Sequence, residues 1–221
     1  MSTHRIRDTH SPWSVMEIRD EPEKWPVLAS EEKFRGHVIS IRTDTVEMVD
    51  GKVAERDYVV HPGAVGVVAL DEADRVLLVR QYRHPVGWRL WELPAGLLDH
   101  PGENPLEAAR RELYEETHQQ AEDWRVLVDL FTTPGGSDEA IRVYLARGVR
   151  EADGEQFARE HEEADMAVVW ADRSEVTKLI LAGELHNPLT VAGVLALTTA
   201  ITTNALDDLR PADAPWPQRP F

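Results

Sequence analysis

Three closely spaced glutamates near the middle of the chain have the residue type and spacing of a metal site. They are Glu112, Glu115 and Glu116, in the run Arg-Glu-Leu-Tyr-Glu-Glu. On a helix, residues four apart share one face, so Glu112 and Glu116 point the same way and Glu115 lies one step around. Carboxylates held this close repel one another. Mg²⁺, a hard cation that takes carboxylate and phosphate oxygens as ligands, would remove that repulsion.

A glutamate-rich helix also has a simpler interpretation. Most such helices are solvated faces whose carboxylates pair with neighbouring basic residues. Arg111 could pair with Glu115 or Glu107 and have no further role. The choice between the two interpretations depends on the residues around the glutamates.

Local signals predict the elements that would position these glutamates. Pro105 suits the first turn of a helix, where its missing N–H costs little, and Leu106, Ala109 and Leu113 give that helix an apolar stripe. The continuously apolar run 63–70 is typical of a strand buried on both faces. We predict further strands at 75–82, 88–93, 124–131, 140–146 and 166–171, and helices at 174–182 and 188–203. This mixture favours an α/β or α+β sandwich.

Changes in composition divide the chain. Residues 1–30 are polar and contain three prolines, so we expect a loosely ordered leader. Residues 31–62 contain alternating apolar positions and the turn signal Asp50-Gly51, which together predict a small antiparallel β unit. Residues 63–208 carry the remaining elements as the main domain. Residues 209–221, with four prolines, are expected to form a mobile tail.

Charge and composition exclude several classes of protein. The formal net charge is −16 and no Lys/Arg-rich run occurs, which argues against nucleic acid or an anionic membrane as a partner. The absence of cysteine excludes disulfides and thiolate zinc sites. No apolar stretch approaches the roughly 18 residues of a membrane span, and no secretory signal is visible. We therefore expect a soluble cytoplasmic protein.

The residues around the glutamates resemble the Nudix box: Gly, five residues, Glu, seven residues, then Arg-Glu-aliphatic-x-Glu-Glu-x-Gly-aliphatic. Seven residues separate Glu103 from Arg111, and the positions from Arg111 to Glu116 match the box. Two departures occur. Six residues, rather than five, separate Gly96 from Glu103. His118 and Gln119 stand where the family has glycine and an aliphatic residue. Neither departure changes a carboxylate.

The resemblance extends over about residues 31–203 and favours the ADP-ribose pyrophosphatase branch of the ADP-sugar pyrophosphatases. Four further strings carry it: His61–Val65, Val79–Arg83, Trp91–Gly96 and Pro134–Glu139. It implies a Nudix-type mixed-sheet α/β/α sandwich whose small N-terminal β unit builds a homodimer. It also implies hydrolysis of ADP-ribose to AMP and ribose 5-phosphate, with Mg²⁺ as cofactor and Mn²⁺ as an alternative.

Three other interpretations stay open. The protein could hydrolyse another nucleoside-diphosphate sugar, because the box determines the diphosphate chemistry and not the far end of the substrate. It could be a non-catalytic Nudix domain that binds ADP-ribose, although a mere binder does not need the full set of box carboxylates. It could also be an acidic helix with a chance resemblance, which predicts no thermal shift on adding metal.

The resemblance also assigns roles to residues of the box. Glu112 and Glu116 would bind metal with Glu115 nearby, and the backbone carbonyl of Ala95 would be a further ligand. The box arginine of the family orients a glutamate, so Arg111 is expected to act on the ligands rather than on the substrate.

Other residues are candidates for the substrate. Arg83 is the first choice for the substrate phosphate or distal ribose, and Arg80 is the second. Glu139 matches a substrate-side or partner-side carboxylate, with a plain turn residue as the alternative. Trp88 or Trp91 could stack on adenine, although an indole is more often part of an apolar core.

The base that activates water is expected in the acidic loop 159–165, by resemblance to ADP-ribose pyrophosphatases. Glu162 is the first choice and Glu163 the second. A solvated acidic loop is the alternative. A loop that closes over substrate would suit a site that must exclude bulk water.

Overall fold

The computed structural model describes residues 18–153 and 166–219. Within these ranges, one compact unit consists of 18–31 and 43–56, and a second, larger unit consists of 32–42, 57–153 and 166–219. None of the helices in the described part of the chain is long and apolar enough to cross a membrane.

A three-stranded sheet begins the described chain. Its strands β1 (Val27–Arg35), β2 (Ser40–Glu47) and β3 (Val53–Val60) lie in the order β1-β2-β3. Strand β1 starts inside the segment 1–30 that was expected to be a loosely ordered leader. The three prolines that suggested a leader all precede Val27 and so do not interrupt the strand.

The predicted hairpin turn is present in the smaller unit. The N–H of Met48 donates to the carbonyl of Lys52 at 2.7 Å, and the N–H of Gly51 donates to the carbonyl of Met48 at 2.8 Å. Gly51 has a φ of 78°, a left-handed conformation that glycine adopts without a steric penalty.

Ten strands follow in the larger unit: β4 (Ala64–Ala69), β5 (Arg75–Arg83), β6 (Trp88–Glu92), β7 (Ala95–Leu97), β8 (Gln119–Gln120), β9 (Asp123–Phe131), β10 (Ala140–Arg147), β11 (Arg150–Glu151), β12 (Ala167–Asp172) and β13 (Arg210–Pro211). The main sheet has the order β13-β9-β10-β4-β7, and only the β4–β10 pair in it is parallel. A second sheet has the order β12-β5-β6, and β11 pairs with β8. The predicted strands of this unit all lie within one residue of their expected bounds. The unpredicted β7, β8, β11 and β13 are each two or three residues long, too short for a periodic signal.

Three helices complete the larger unit, each close to its predicted bounds: α1 (Pro105–Thr117), α2 (Arg173–Leu181) and α3 (Pro188–Thr202). Their first N–H groups are capped by the side chains of Asn104, Asp172 and Asn187 respectively. These side-chain oxygens replace the partners that a helix cannot provide for its own first turn.

Helices cover both faces of the main sheet. Strand β4 is buried along its whole length, as predicted. Its residues Val65 and Val67 pack in the apolar cluster that includes α1, whereas Val68 packs in the cluster that includes α3. Gly193 on α3 allows close approach to the sheet, because a Cβ there would lie 2.9 Å from a Val68 methyl group. The larger unit is therefore the mixed α/β/α arrangement expected from the sequence.

The C-terminal segment, residues 210–219, differs from the expected mobile tail. Strand β13 pairs with β9, and Trp216 is only 7% exposed within the α1 cluster. Counting prolines suggested mobility, but burial of one large indole stabilises the segment against the core.

Candidate active site

Helix α1 brings two of the box glutamates to the start of β7. The Oε2 atom of Glu116 accepts a hydrogen bond from the N–H of Ala95 at 3.0 Å. The carboxylate of Glu112 lies so close to Gly96 that a Cβ at that position would be 1.9 Å from Oε1. Any side chain at position 96 would displace Glu112, which explains why glycine is needed there. The two carboxylates expected to share a face do meet the same short stretch of backbone.

Gln81 is a functional candidate that the sequence analysis missed. Its amide Nε2 donates to Oε1 of Glu116 at 3.0 Å and also approaches the sulfur of Met166 at 3.3 Å. Both Gln81 and Glu116 are buried. The signal was available, because Gln81 continues the every-second-residue face of Leu77 and Val79 as a polar residue in a buried strand.

Arg111 is bound by three of the four box carboxylates. It makes a bidentate pair with Glu103, with N–O distances of 2.9 and 3.1 Å. Its Nη1 donates to Glu112 at 2.7 Å and to Glu115 at 3.0 Å. The hydrogen bonds from Arg111 lower the pKa of Glu103, and those to Glu103 raise the pKa of the guanidinium further. Arg111 therefore stays charged and holds these carboxylates close to α1.

The chemistry of the donor set fits a hard divalent cation. Three carboxylates pair with the guanidinium of Arg111, and Glu116, bound by Gln81 and the Ala95 N–H, is the fourth carboxylate of the box. Four glutamates and one arginine give the box a formal charge of −3. All the side-chain donors are oxygen, as Mg²⁺ requires. Among residues 18–153 and 166–219, however, no three acidic, histidine or cysteine side chains already converge as a ligand cage. Glu112 and Glu115 instead accept hydrogen bonds from Arg111.

Arg83 and Arg80, the predicted substrate arginines, both lie on β5 but in different environments. Arg83 makes a bidentate pair with Glu92 at 2.9 and 2.6 Å, and the Glu92 side chain is only 3% exposed. The Arg83 side chain remains 44% exposed. Arg80 lies over the ring of Trp91, with its Cζ 5.6 Å from the ring centroid. A buried carboxylate such as Glu92 needs a cationic partner, and Arg83 is that partner. The spacing of the sequence did not predict this pair.

The two tryptophans predicted as candidates for stacking on adenine differ in exposure. Trp91 is partly buried against the α3 cluster. Trp88 is exposed and meets His186 edge to face, with ring centroids 5.2 Å apart. Trp88 is therefore the indole whose ring is accessible to a ligand.

Glu139 joins two of the strings that were singled out in the sequence. Its carboxylate accepts a hydrogen bond from Thr132 and lies 3.4 Å from Nδ1 of His61. The backbone N–H of His61 in turn donates to Asp138 at 2.8 Å. The His61–Val65 string and the Pro134–Glu139 loop are thus one local structure.

Glu162 and Glu163 lie outside the described residues, so their role as the base stays a prediction. The first described residue after them is Met166, which is buried and contacts Gln81. The described chain therefore resumes at Met166, beside the Gln81–Glu116 pair.

Comparison with known proteins now defines the class. Residues 60–190 match the NUDIX domain family. The chain belongs to the Nudix family and is a hydrolase, and the family assignment made from the box is confirmed.

Particular relatives narrow the class. Over 193 residues the chain is 48% identical to the ADP-ribose pyrophosphatase of Mycobacterium tuberculosis, and the match covers 87% of this chain and 91% of that protein. It is 32% identical over 173 residues to the ADP-ribose pyrophosphatase of Bacillus subtilis, with 76% and 89% covered. It is 34% identical over 167 residues to the methanol dehydrogenase activator of Bacillus methanolicus, again with 76% and 89% covered. A crystal structure of an ADP compounds hydrolase shares the fold, with a TM-score of 0.68, 20% identity and coverage of 84% of this chain and 98% of that one.

Proposed function

We propose that this protein hydrolyses the diphosphate of ADP-ribose to AMP and ribose 5-phosphate, with Mg²⁺ as its cofactor and Mn²⁺ as a substitute. The substrate is supported by the two ADP-ribose pyrophosphatases that match most of the chain. The chemistry is supported by one observation above all. Glu112 and Glu116, four residues apart on α1, meet the backbone at Ala95 and Gly96.

Glu112 and Glu116 would hold the metal, with Glu115 and the carbonyl of Ala95 as further ligands. A bound Mg²⁺ supplies charge neutralisation for the diphosphate and lowers the pKa of a water molecule. The protein supplies the position of the ligands. Gln81 and the Ala95 N–H each donate to one oxygen of Glu116 and so determine the orientation of its carboxylate.

Arg111 acts on the ligands rather than on the substrate in this proposal. Its Nε and Nη2 atoms both donate to Glu103. Its Nη1 atom donates to both Glu112 and Glu115. It therefore limits the repulsion among the carboxylates before a metal arrives. Three carboxylates share the single positive charge of Arg111, and this arrangement supports a bound cation as an additional partner.

The proposal also assigns residues to substrate binding and to the base that activates water. The exposed part of Arg83 would bind phosphate or the distal ribose, with Arg80 as the second choice. Glu139 would face the substrate or a partner subunit. Glu162, or Glu163 in its place, would take the proton from the attacking water.

A homodimer built through residues 31–62 is part of the proposal. Strand β1 is exposed along its full length, and it carries the exposed apolar residues Val27, Leu28 and Phe34. An exposed apolar edge strand is a template for pairing with another chain. Light scattering that gives a single 25 kDa chain at micromolar concentration would contradict the dimer.

The function is tested by presenting purified protein with Mg²⁺ and a set of substrates. ADP-ribose, other nucleoside-diphosphate sugars, NADH and dinucleoside polyphosphates are compared by the phosphate released after phosphatase treatment. We expect ADP-ribose to give the highest kcat/KM, with AMP and ribose 5-phosphate as products by chromatography and no turnover in EDTA. A higher kcat/KM for another sugar nucleotide would change the substrate, and binding of ADP-ribose without turnover would make the protein a binder.

A further inference from the structure

The C-terminal segment, residues 210–219, is attached to the main sheet by a buried arginine. The Arg142 side chain is 3% exposed and pairs with Asp129 at 2.8 and 3.0 Å. It also donates to the backbone carbonyls of Ala214 and Pro215 at 2.7 and 3.1 Å, and it lies 4.9 Å from the ring centroid of Trp216. Removing these carbonyls would leave donors of a buried cation without acceptors, so the segment is an integral part of the fold.

The same segment ends at the loop that carries the site. Nη2 of Arg219 donates to the carbonyl of Leu98 at 3.1 Å. The N–H of Leu98 donates to the carbonyl of Gly63 at 3.0 Å. A Cβ at Gly63 would lie 3.4 Å from Nε of Arg219, so the guanidinium passes close over that glycine. Arg219 therefore binds the backbone at the point where it leaves β7.

In the sequence, Leu98 lies between two groups of candidate active-site residues. Ala95 and Gly96, which meet the two glutamates, precede it in the chain, and Glu103 follows it. The far end of the intervening loop is held by the bidentate Arg111–Glu103 pair. This loop contains the residue that the Nudix box pattern lacks. A longer loop has more conformations to lose, and an anchor at its start reduces that freedom.

We infer that the C-terminal segment is a strap for the active-site loop, and that Arg219 is a positioning residue for the hydrolysis reaction. Arg219 does not touch the reacting atoms in this inference. It holds the backbone of Leu98 so that Ala95 and Gly96 stay in register with Glu116 and Glu112. The inference rests on the proposed function for its kinetic readout, but its structural readout does not depend on any substrate.

The test compares Arg219→Ala, Arg219→Lys and the matched control Arg210→Ala in the full-length protein. Arg210 lies in the same segment but donates to Asp129, away from the loop. We expect Arg219→Ala to lower kcat about tenfold with KM nearly unchanged, because small displacements of catalytic groups cost rate rather than binding. Arg219→Lys keeps the positive charge and one donor nitrogen and should recover part of the loss, and Arg210→Ala should stay within about twofold of wild type.

Two measurements without substrate separate positioning from general stability. Amide hydrogen exchange at residues 95–98 should accelerate in Arg219→Ala and not in Arg210→Ala, while exchange in α2 stays unchanged in both. Mn²⁺ binding, followed by water-proton relaxation, should weaken in Arg219→Ala alone. Unchanged exchange and Mn²⁺ affinity in Arg219→Ala would overturn the inference, as would equal effects in Arg210→Ala. If wild type fails to hydrolyse ADP-ribose, these measurements still decide the role of Arg219, and only the proposed function fails.

Discussion

Two arginine clusters of the larger unit differ in charge balance and in burial. Arg111 binds three carboxylates, which leaves that group with a formal charge of −2. Arg142 shares the single carboxylate of Asp129 with Arg210, which leaves a formal charge of +1. The Arg142 and Asp129 side chains are 3% and 5% exposed, whereas that of Arg111 is 25% exposed.

The difference distinguishes a structural cluster from a functional one. Buried charges need their partners in place, and the carbonyls of Ala214 and Pro215 complete the set around Arg142. Among the ion pairs of the described residues, three glutamates share the single positive charge of Arg111. Surplus like charge on one helix is not stabilising by itself, which supports the cation that we propose for this site.

The largest effect should come from removing the surplus charge. Glu112→Gln and Glu116→Gln keep the shape of the side chain and remove a proposed metal ligand. Each should lower kcat on the order of 10²- to 10⁴-fold, the scale of a lost catalytic group or metal. The measurement is steady-state hydrolysis of ADP-ribose over a range of Mg²⁺ concentrations.

Glu107→Gln is the matched control for these variants. Glu107 is an exposed glutamate of the same helix, paired only at the surface with Arg110, and its loss should leave kcat within about twofold of wild type. Wild-type rates from Glu112→Gln or Glu116→Gln at saturating Mg²⁺ would contradict the assignment of these glutamates as metal ligands.

Breaking the buried Arg142 cluster should instead reduce stability. Arg142→Met leaves the buried Asp129 with Arg210 in place of its bidentate partner and leaves the carbonyls of Ala214 and Pro215 without that donor, so the free energy of unfolding should fall by about 3 kcal/mol. Urea denaturation measures this change. The folded variant should lose less kcat than the glutamate variants, because Arg142 contacts no box residue among its hydrogen bonds. A loss of kcat without a loss of stability would mean that the two clusters have been assigned the wrong roles.

The same contrast explains what the sequence could predict. The box helix and its glutamates are contiguous, so their spacing alone predicted one shared face and a metal site. Their partners are distant in the chain: Gln81 lies 35 residues from Glu116, and Ala95 lies 21 residues from it. Arg219 and Leu98 are 121 residues apart. Such contacts depend on tertiary packing, and no local pattern of polar and apolar residues encodes them.

Gln81 tests the part of the site that only the structure revealed. Gln81→Met keeps the length of the side chain and removes the amide that donates to Glu116. We expect kcat to fall about 10- to 100-fold, the usual effect of losing a group that orients a metal ligand. The Mg²⁺ concentration for half-maximal rate should rise. Full kcat with unchanged Mg²⁺ dependence would show that the Gln81 amide is not needed to orient Glu116.

The smallest effect concerns His118, the departure from the box at the end of α1. His118 has a φ of 56° and its N–H closes the helix on the carbonyl of Tyr114 at 2.8 Å, so it occupies the left-handed position where the family has glycine. Its ring also lies 5.4 Å from the ring of Tyr114, a contact that glycine cannot replace. His118→Ala and His118→Gly both lose that contact, but only glycine is free of the left-handed penalty of about 1 kcal/mol. The glycine variant should therefore be more stable than the alanine variant by about 1 kcal/mol in thermal or urea unfolding, with kcat nearly the same in both. Equal stabilities would show that backbone strain at this position is relieved locally, and a selective loss of kcat in both variants would assign the imidazole a role in the reaction.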